Sequence, residues 1–301
     1  MKNKNTSYET ATGAIDYPFT NDYMFRAVLQ KNTYVLKGLT ASLLHLDPES
    51  ISSIEITNPI ILGEAVDNKD FILDIRLMLN DSAIINLEMQ ITNQHNWPDR
   101  SLSYLCRNFD QVYRGENYDT AMPVIHIGIL DFSLFPDDHQ LYSTFKLLDV
   151  KTSQIFNDKF QLRVLYLNQI EQATEEDRLY QIDYWAKLFK AKTWEELRMI
   201  ASDNPYMTQA SKFLYLLNED EMVRQRCRAR EEYERHERTM KKLLDDVTAE
   251  RDLLAAKNDS LAAKNDSLTA KNDSLTSENQ ALQSELESLR ALLNKEDIIS
   301  K

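Results

Sequence analysis

The chain has 301 residues, of which 43% are hydrophobic and 28% charged, which suits one sizeable soluble domain with an appendage, or two modest domains. Its formal net charge of -13 argues against a protein coated with basic residues for nucleic acid, although it leaves room for a local basic surface. Two distant cysteines and the absence of a run near the ~20 apolar residues of a membrane span predict a cytoplasmic protein that does not enter a membrane. The five glycines form neither a P-loop nor a dinucleotide fingerprint.

The pattern of apolar residues predicts an α/β protein in which helices and strands alternate. We expect residues 1–17 to be flexible. The predicted elements are a helix over 20–46, strands over 54–62, 71–79 and 83–91, a helix over 97–114 that stops at Gly115, strands over 123–132 and 160–167, and mainly helices from Glu175 onward.

Two of these strands flank the turn residues Asn80 and Asp81, and together they form a candidate acidic site. A hairpin centred on residue 81 places Asp74 opposite Glu88, with their Cα atoms about 5 Å apart. At an effective dielectric of about 20, two such carboxylates repel by roughly 3 kcal/mol, so one is protonated or a cation lies between them.

Two carboxylates, a backbone carbonyl such as that of Met89 and water are the oxygen ligands that Mg²⁺ or Mn²⁺ prefers. Such an ion can activate water and neutralise the charge on a scissile phosphate. Gln90 shares the face of Glu88, because side chains on a strand alternate, and its amide can orient water or a phosphate oxygen. The alternative is an exposed hairpin face that carries ordinary polar residues.

The helix that follows the hairpin carries a polar, basic stripe, which we expect to lie opposite Leu102, Leu105, Phe109 and Val112. The stripe consists of Arg100, Tyr104, Arg107, Gln111 and Arg114. It could hold DNA phosphates beside a metal, with Arg100 and Tyr104 nearest, or it could be a solvated helix face.

Three further features have structural interpretations. His126 is expected to be a hydrogen-bonded core histidine, and Asp131 a residue at a strand end. Segment 222–242 is rich in both signs of charge, and its (i, i+4) pairs favour a solvated helix over a basic arm for DNA.

From Leu254 the sequence repeats every seven residues, with Leu254, Leu261, Leu268, Leu275, Leu282 and Leu289 at position d. Four asparagines, Asn258, Asn265, Asn272 and Asn279, occupy position a before Leu286 and Leu293. Leucine at d with asparagine at a favours a parallel two-stranded coiled coil, in which asparagine fixes the partner number and lowers stability. We therefore predict a homodimer or higher homo-oligomer through residues 241–295, with a flexible tail over 296–301. The alternative is a disordered repeat.

Five segments in this order resemble the PD-(D/E)XK nuclease family transposases, or recombination-promoting nucleases. They are TNDYMFRAVL, FILDIRL, INLEMQ, RSLSYLCRNFDQVYRGENY and MPVIHIGILDFSLF, within residues 18–240. The resemblance implies a restriction-endonuclease-like core with a mixed sheet between helices, and metal-dependent cleavage of DNA. It also implies that Asp74 and Glu88 bind the metal, that Asp22 assists, and that Gln90 takes the usual lysine position. It favours a function for Arg100 and Tyr104.

The leading interpretation is thus a Mg²⁺- or Mn²⁺-dependent DNA endonuclease dimerised through its tail. One alternative is a nuclease fold with little or no activity that binds DNA or protein, including in defence against foreign DNA. Another is that the repeat tail is the working part and the core a carrier.

Overall fold

The computed structural model describes residues 7–57, 75–110, 117–135, 137 and 139–299, and of residues 292–299 it describes the backbone alone. The chain divides into two compact units, Met1–Glu232 and Tyr233–Lys301. The boundary between the two units lies within one long helix, α8 (Glu221–Ile299).

The first unit is built on a mixed sheet, as the sequence predicts. Its described strands lie in the order β1-β2-β3-β4-β6-β5, with parallel pairs β3–β4 and β4–β6 and the other pairs antiparallel. The strands are β1 (Ile54–Ile56), β2 (Ile75–Leu79), β3 (Ala83–Gln90), β4 (Val124–Leu130), β5 (Tyr142–Leu148) and β6 (Ile155–Tyr166).

Helices flank the sheet, which confirms the predicted architecture. They are α1 (Asp22–Lys31), α2 (Thr33–Leu44), α3 (Trp97–Phe109), α4 (Glu175–Leu179), α5 (Ile182–Lys190), α6 (Trp194–Ala201), α7 (Pro205–Glu219) and α8. The single helix predicted over 20–46 is wrong, because Asn32 interrupts it with φ -135° and ψ 89°. The Asn32 side chain accepts a hydrogen bond from the Val35 amide at 3.2 Å and so caps the second helix.

Several predicted strands have different limits in the structure. Strand β5 was not predicted, and β6 begins at Ile155, before the predicted residue 160. β5 lies at an edge of the sheet, so its residues are mostly exposed and its apolar pattern is weak. Residues 58–74, which hold the ends of two predicted strands, and residues 111–116, which hold the predicted helix stop at Gly115, lie outside the described residues.

The sheet is covered on both faces. Ile85, Leu87 and Met89 of β3 belong to the main core, together with residues of α1, α2, α5, α6 and α7. On the other face α3 packs through Trp97 and Leu105 against residues of β4 and β6. The polar residues at the even-numbered positions of β3 therefore lie between the sheet and α3.

Residues 8–17, before α1, pack in the main core, in contrast to the expectation that residues 1–17 are flexible. Tyr8, Ile15 and Tyr17 are buried there, and Ala14 forms a bridge with Thr193. The burial of these few apolar side chains holds residues 8–17 against the helices that follow the sheet. Residues 1–6 lie outside the described part of the chain.

The start of α8, up to Glu232, belongs to the first unit and packs in its core, which changes the interpretation of segment 222–242. Val223 and Cys227 are buried in the main core, and Arg224 forms an ion pair of 2.9 Å with Asp16. The solvated helix predicted there begins only after this docked portion. In the second unit the leucines at position d are exposed, each by between 48% and 56%. They are Leu254, Leu261, Leu268, Leu275, Leu282 and Leu289. Among the described residues, no helix is both long and apolar enough to cross a membrane.

Candidate active site

The hairpin of β2 and β3 has the register that the turn residues predict. Ile75 pairs with Leu87 and Leu79 pairs with Ala83, so the hairpin is centred on residue 81. Asn80 and Asp81 have φ values of 50° and 51°, a left-handed conformation that these residue types tolerate well. Asp74 itself lies outside the described residues.

Glu88 and Gln90 lie on the face of β3 that α3 covers. They are 7% and 8% exposed, so the alternative of a solvent-exposed hairpin face is wrong for these two residues. A buried carboxylate must be paired or bound to a cation, since burial removes its hydration. Met89 points its side chain into the main core, as strand alternation requires.

Arg100 of α3 provides the cation in this structure. Its Nη2 donates hydrogen bonds to Glu88 Oε1 and to Gln90 Oε1, the latter at 2.7 Å. We call the place of this nitrogen the cation position, because two side-chain oxygens converge on it. The Gln90 amide nitrogen donates to the Thr92 carbonyl at 2.8 Å, which directs the Gln90 oxygen to the cation position.

The second carboxylate oxygen of Glu88 faces His126 of β4. The distance from His126 Nε2 to Glu88 Oε2 is 3.4 Å, and His126 is fully buried. His126 Nδ1 lies 2.9 Å from the amide nitrogen of Asn86, the preceding residue on this face of β3. The prediction of a hydrogen-bonded core histidine is confirmed, and the structure adds that this histidine contacts Glu88.

The face of α3 that meets the sheet differs from the prediction. Arg100 and Tyr104 lie on the side of Leu105, and the Tyr104 ring stacks on His126 at 6.1 Å, whereas Leu102 is exposed. The predicted opposition of Arg100 and Tyr104 to Leu105 is therefore wrong, because all three lie toward the sheet. The buried residues of α3 are Trp97, Ser101 and Leu105, which are four residues apart and therefore lie along one side of the helix. Arg100 and Tyr104 lie next to that side.

Trp97 lies directly over Gly128 of β4, which is the residue paired with Glu88. A Cβ atom at Gly128 would lie 2.2 Å from Cζ2 of the indole, well inside van der Waals contact. The glycine therefore allows α3 to approach the sheet at the level of Glu88.

Replacing Gly128 with alanine is expected to lower the free energy of unfolding by about 1–3 kcal/mol, because the indole or the helix must move. Chemical denaturation measures the loss. The Trp97→Phe substitution removes the clashing part of the ring, so the double variant should lose less than the sum of the single variants. Simple additivity would show that the contact does not set the helix position.

Asp22, the acidic residue assigned to α1, has a different immediate partner. Its Oδ2 accepts hydrogen bonds from Nε of Arg230 at 2.9 Å and Nη2 at 2.8 Å, so it ties α1 to the docked part of α8. The neighbouring Cys227 is inert as a nucleophile, since burial raises the pKa of its thiol to about 12.

Asp131 follows β4, and its structural interpretation agrees with the contacts. Its amide donates to the Gln90 carbonyl at 3.2 Å, and its carboxylate forms a 2.9 Å ion pair with Lys190 of α5. Sequence reasoning missed Lys190 and Asn86. The signal for Asn86 was its position two residues before Glu88, on the same face of β3.

The donor set can be tested against a divalent ion. Within the part of the chain that the structure describes, no three His, Cys, Asp or Glu side chains form a metal-binding group. Glu88 and Gln90 nevertheless direct two oxygens at one cation position, and Glu88 Oε2 is buried without a hydrogen-bond partner among the described residues. Oxygen donors of this kind suit a hard divalent cation, so the residues present fit such an ion.

The first unit is thus an α/β protein with a mixed sheet between helices and a buried Glu-x-Gln pair on a central strand. The model of the PD-(D/E)XK nuclease family transposase matches residues 19–243, and the chain belongs to this family. The model of the homeobox-associated leucine zipper matches residues 259–294, within the long helix. Among curated proteins and among solved structures, no match is found.

Proposed function

We propose that this protein is a metal-dependent DNA endonuclease of the recombination-promoting type, which hydrolyses phosphodiester bonds. The observation that carries the proposal is the convergence of Glu88 and Gln90 on a buried cation position in a chain of the PD-(D/E)XK nuclease family transposases. That family membership supports a nuclease or transposase-like role, and nucleases of this kind generally use divalent metals.

In this proposal Asp74, Glu88 and the backbone carbonyl of Met89 hold Mg²⁺ or Mn²⁺. The observed pairing of Ile75 with Leu87 supports the proposed assignment of Asp74, because the same register would pair position 74 with position 88 if it continued by one residue. When bound, the ion lowers the pKa of a water molecule and neutralises charge on the phosphate.

The other proposed roles belong to side chains of this chain. Gln90 positions water or a phosphate oxygen through its amide, but it cannot act as a general base. Arg100 and Tyr104 border the buried residues of α3, and we assign them to binding DNA phosphates; Arg100 would have to release Glu88 for an ion to be held there. Asp22 assists only if it leaves its ion pair with Arg230.

The tail is proposed to join two copies of the chain through residues 241–295, so that each catalytic domain cuts one strand of a duplex. The exposed leucines at position d and the match to a leucine zipper support this role.

A plasmid assay tests the proposal. Supercoiled DNA should be nicked or linearised with Mg²⁺ or Mn²⁺, and chelation by EDTA should stop the reaction. The Asp74→Asn variant should lose the activity, while Asp81→Asn, which changes an exposed aspartate of the turn in the same way, should keep it. Equal cleavage by the wild type and Asp74→Asn would dispose of the assignment.

One observation favours a second candidate, a nuclease fold that binds DNA or protein without cutting. Arg100 already pairs with Oε1 of Glu88 and supplies a counter-charge without a metal. Calorimetry with Mn²⁺ separates the candidates, since no saturable binding, or binding that Glu88→Gln leaves unchanged, would favour the non-cutting protein.

A further inference from the structure

A line of buried polar groups lies behind the cation position. It runs from Asn86 through the His126 imidazole to Oε2 of Glu88, and both Asn86 and His126 are fully buried. Buried polar side chains in a sheet are costly unless they are bonded to one another, so this line requires a physical reason.

The two neighbours of the imidazole favour the same tautomer of His126. The amide nitrogen of Asn86, 2.9 Å from Nδ1, donates to it, and the Glu88 carboxylate opposite Nε2 can only accept. A neutral imidazole with an unprotonated Nδ1 carries its proton on Nε2. That N–H faces Glu88 Oε2, which excludes Nε2 as a metal ligand in this arrangement.

The two facing atoms are otherwise unsatisfied. Neither His126 Nε2 nor Glu88 Oε2 forms a hydrogen bond with any described residue. Their separation of 3.4 Å exceeds the usual 2.7–3.2 Å, roughly, of an N–H···O bond. Both atoms would gain if the distance shortened, and hydrogen bonds in active sites commonly tighten when the site is loaded.

The imidazole cannot easily turn away. Its ring is near two aromatic rings, that of Tyr104 with a centroid 6.1 Å away and that of Trp97 at 6.0 Å. Both aromatic residues belong to α3, the helix that also supplies Arg100. The ring orientation is thus built into the contact between α3 and the sheet.

We propose that His126 is a positioning residue for Glu88. Held by Asn86 in the Nε2–H form, it engages Oε2 and thereby keeps Oε1 directed at the cation position, whether Arg100 or a divalent ion is there. The part of this inference that concerns a divalent ion rests on the proposed function. The position of the proton on His126 does not depend on that function. Second contacts of this kind orient metal-binding side chains and raise their affinity.

Two substitutions in the full chain test the positioning role. In His126→Gln the amide nitrogen takes roughly the place of Nε2 and can still donate to Glu88, whereas His126→Leu removes the donor. Calorimetry with Mn²⁺ should show about 10- to 100-fold weaker binding for His126→Leu and rescue of most of that affinity in His126→Gln. Equal affinity of the wild type and the leucine variant would overturn the proposal while leaving the proposed function intact.

The proton arrangement is tested without metal by ¹⁵N resonances of the imidazole nitrogens in the wild-type chain, assigned by their loss in His126→Gln. We expect a neutral ring with the proton on Nε2. A proton on Nδ1 would overturn the proposal, whatever the variants do. If the wild type binds no Mn²⁺, the proposed function fails and this spectrum alone decides the role of His126.

Discussion

Glutamine in place of Glu88 is expected to reduce metal-dependent plasmid cleavage by about 10³-fold or more. A bound metal ion contributes several kcal/mol to the transition state, and about 4 kcal/mol corresponds to about 10³-fold in rate. The amide oxygen of glutamine is a weaker ligand than a carboxylate and carries no charge, so the affinity for the ion and its stabilisation of the transition state both fall.

The same substitution has a separate effect on stability, because Arg100 loses its counter-charge. The guanidinium keeps an acceptor in the amide oxygen of the new side chain, and 29% of the Arg100 side chain is exposed, so we expect a loss of only about 1–2 kcal/mol. Chemical denaturation of the metal-free protein measures this loss, and cleavage is then compared under conditions where both proteins are folded.

Glu55→Gln is the matched control, since Glu55 is an exposed glutamate on β1 of the same sheet. It should change neither cleavage nor stability measurably. Undiminished cleavage by the folded Glu88→Gln variant would remove Glu88 from the metal site and, with it, the basis of the proposed mechanism.

The register of the hairpin was predictable because it depends on local chemistry. Asn80 and Asp81 accept positive φ values, and strand alternation then decides which side chains share a face. Neither argument needs knowledge of distant parts of the chain, which is why the predicted register agrees with the structure.

The burial of Glu88 was not predictable from the hairpin alone. Polar residues alternate with apolar ones along β3, a pattern typical of a strand with one solvated face. The second face is covered because Gly128 allows Trp97 of α3 close to the sheet, a contact between residues 31 positions apart in the chain. The face of α3 was mispredicted for the same reason, since Arg100 reaches the buried carboxylate and Tyr104 contacts the His126 ring beside it.

The N-terminal segment and β5 illustrate a different difficulty. The N-terminal segment has only a few apolar residues, such as Tyr8 and Ile15, among polar ones. The burial of these residues depends on helices that occur much later in the chain. The β5 strand is mostly exposed, so pairing with β6 rather than its own apolar pattern defines it. Both features are set by long-range packing.

Aspartate in place of Leu268 is expected to convert the proposed dimer into a monomer at low micromolar concentration. Leu268 occupies position d near the middle of the repeat and is 52% exposed on the isolated helix. Loss of one leucine from each strand removes about 2 kcal/mol or more per chain, so the dissociation constant should rise by about 10³-fold. The four asparagine layers leave little stability in reserve to offset that loss.

Sedimentation velocity measures the change, and Ser267→Asp is its control. Ser267 is the adjacent residue at the outward-facing position c, so the same charge there should leave the dimer intact. A chain that ends at Lys242 should be monomeric as well. If neither the truncation nor Leu268→Asp alters the oligomeric state, the repeat does not join the chains, and two-strand cleavage needs another contact between catalytic domains.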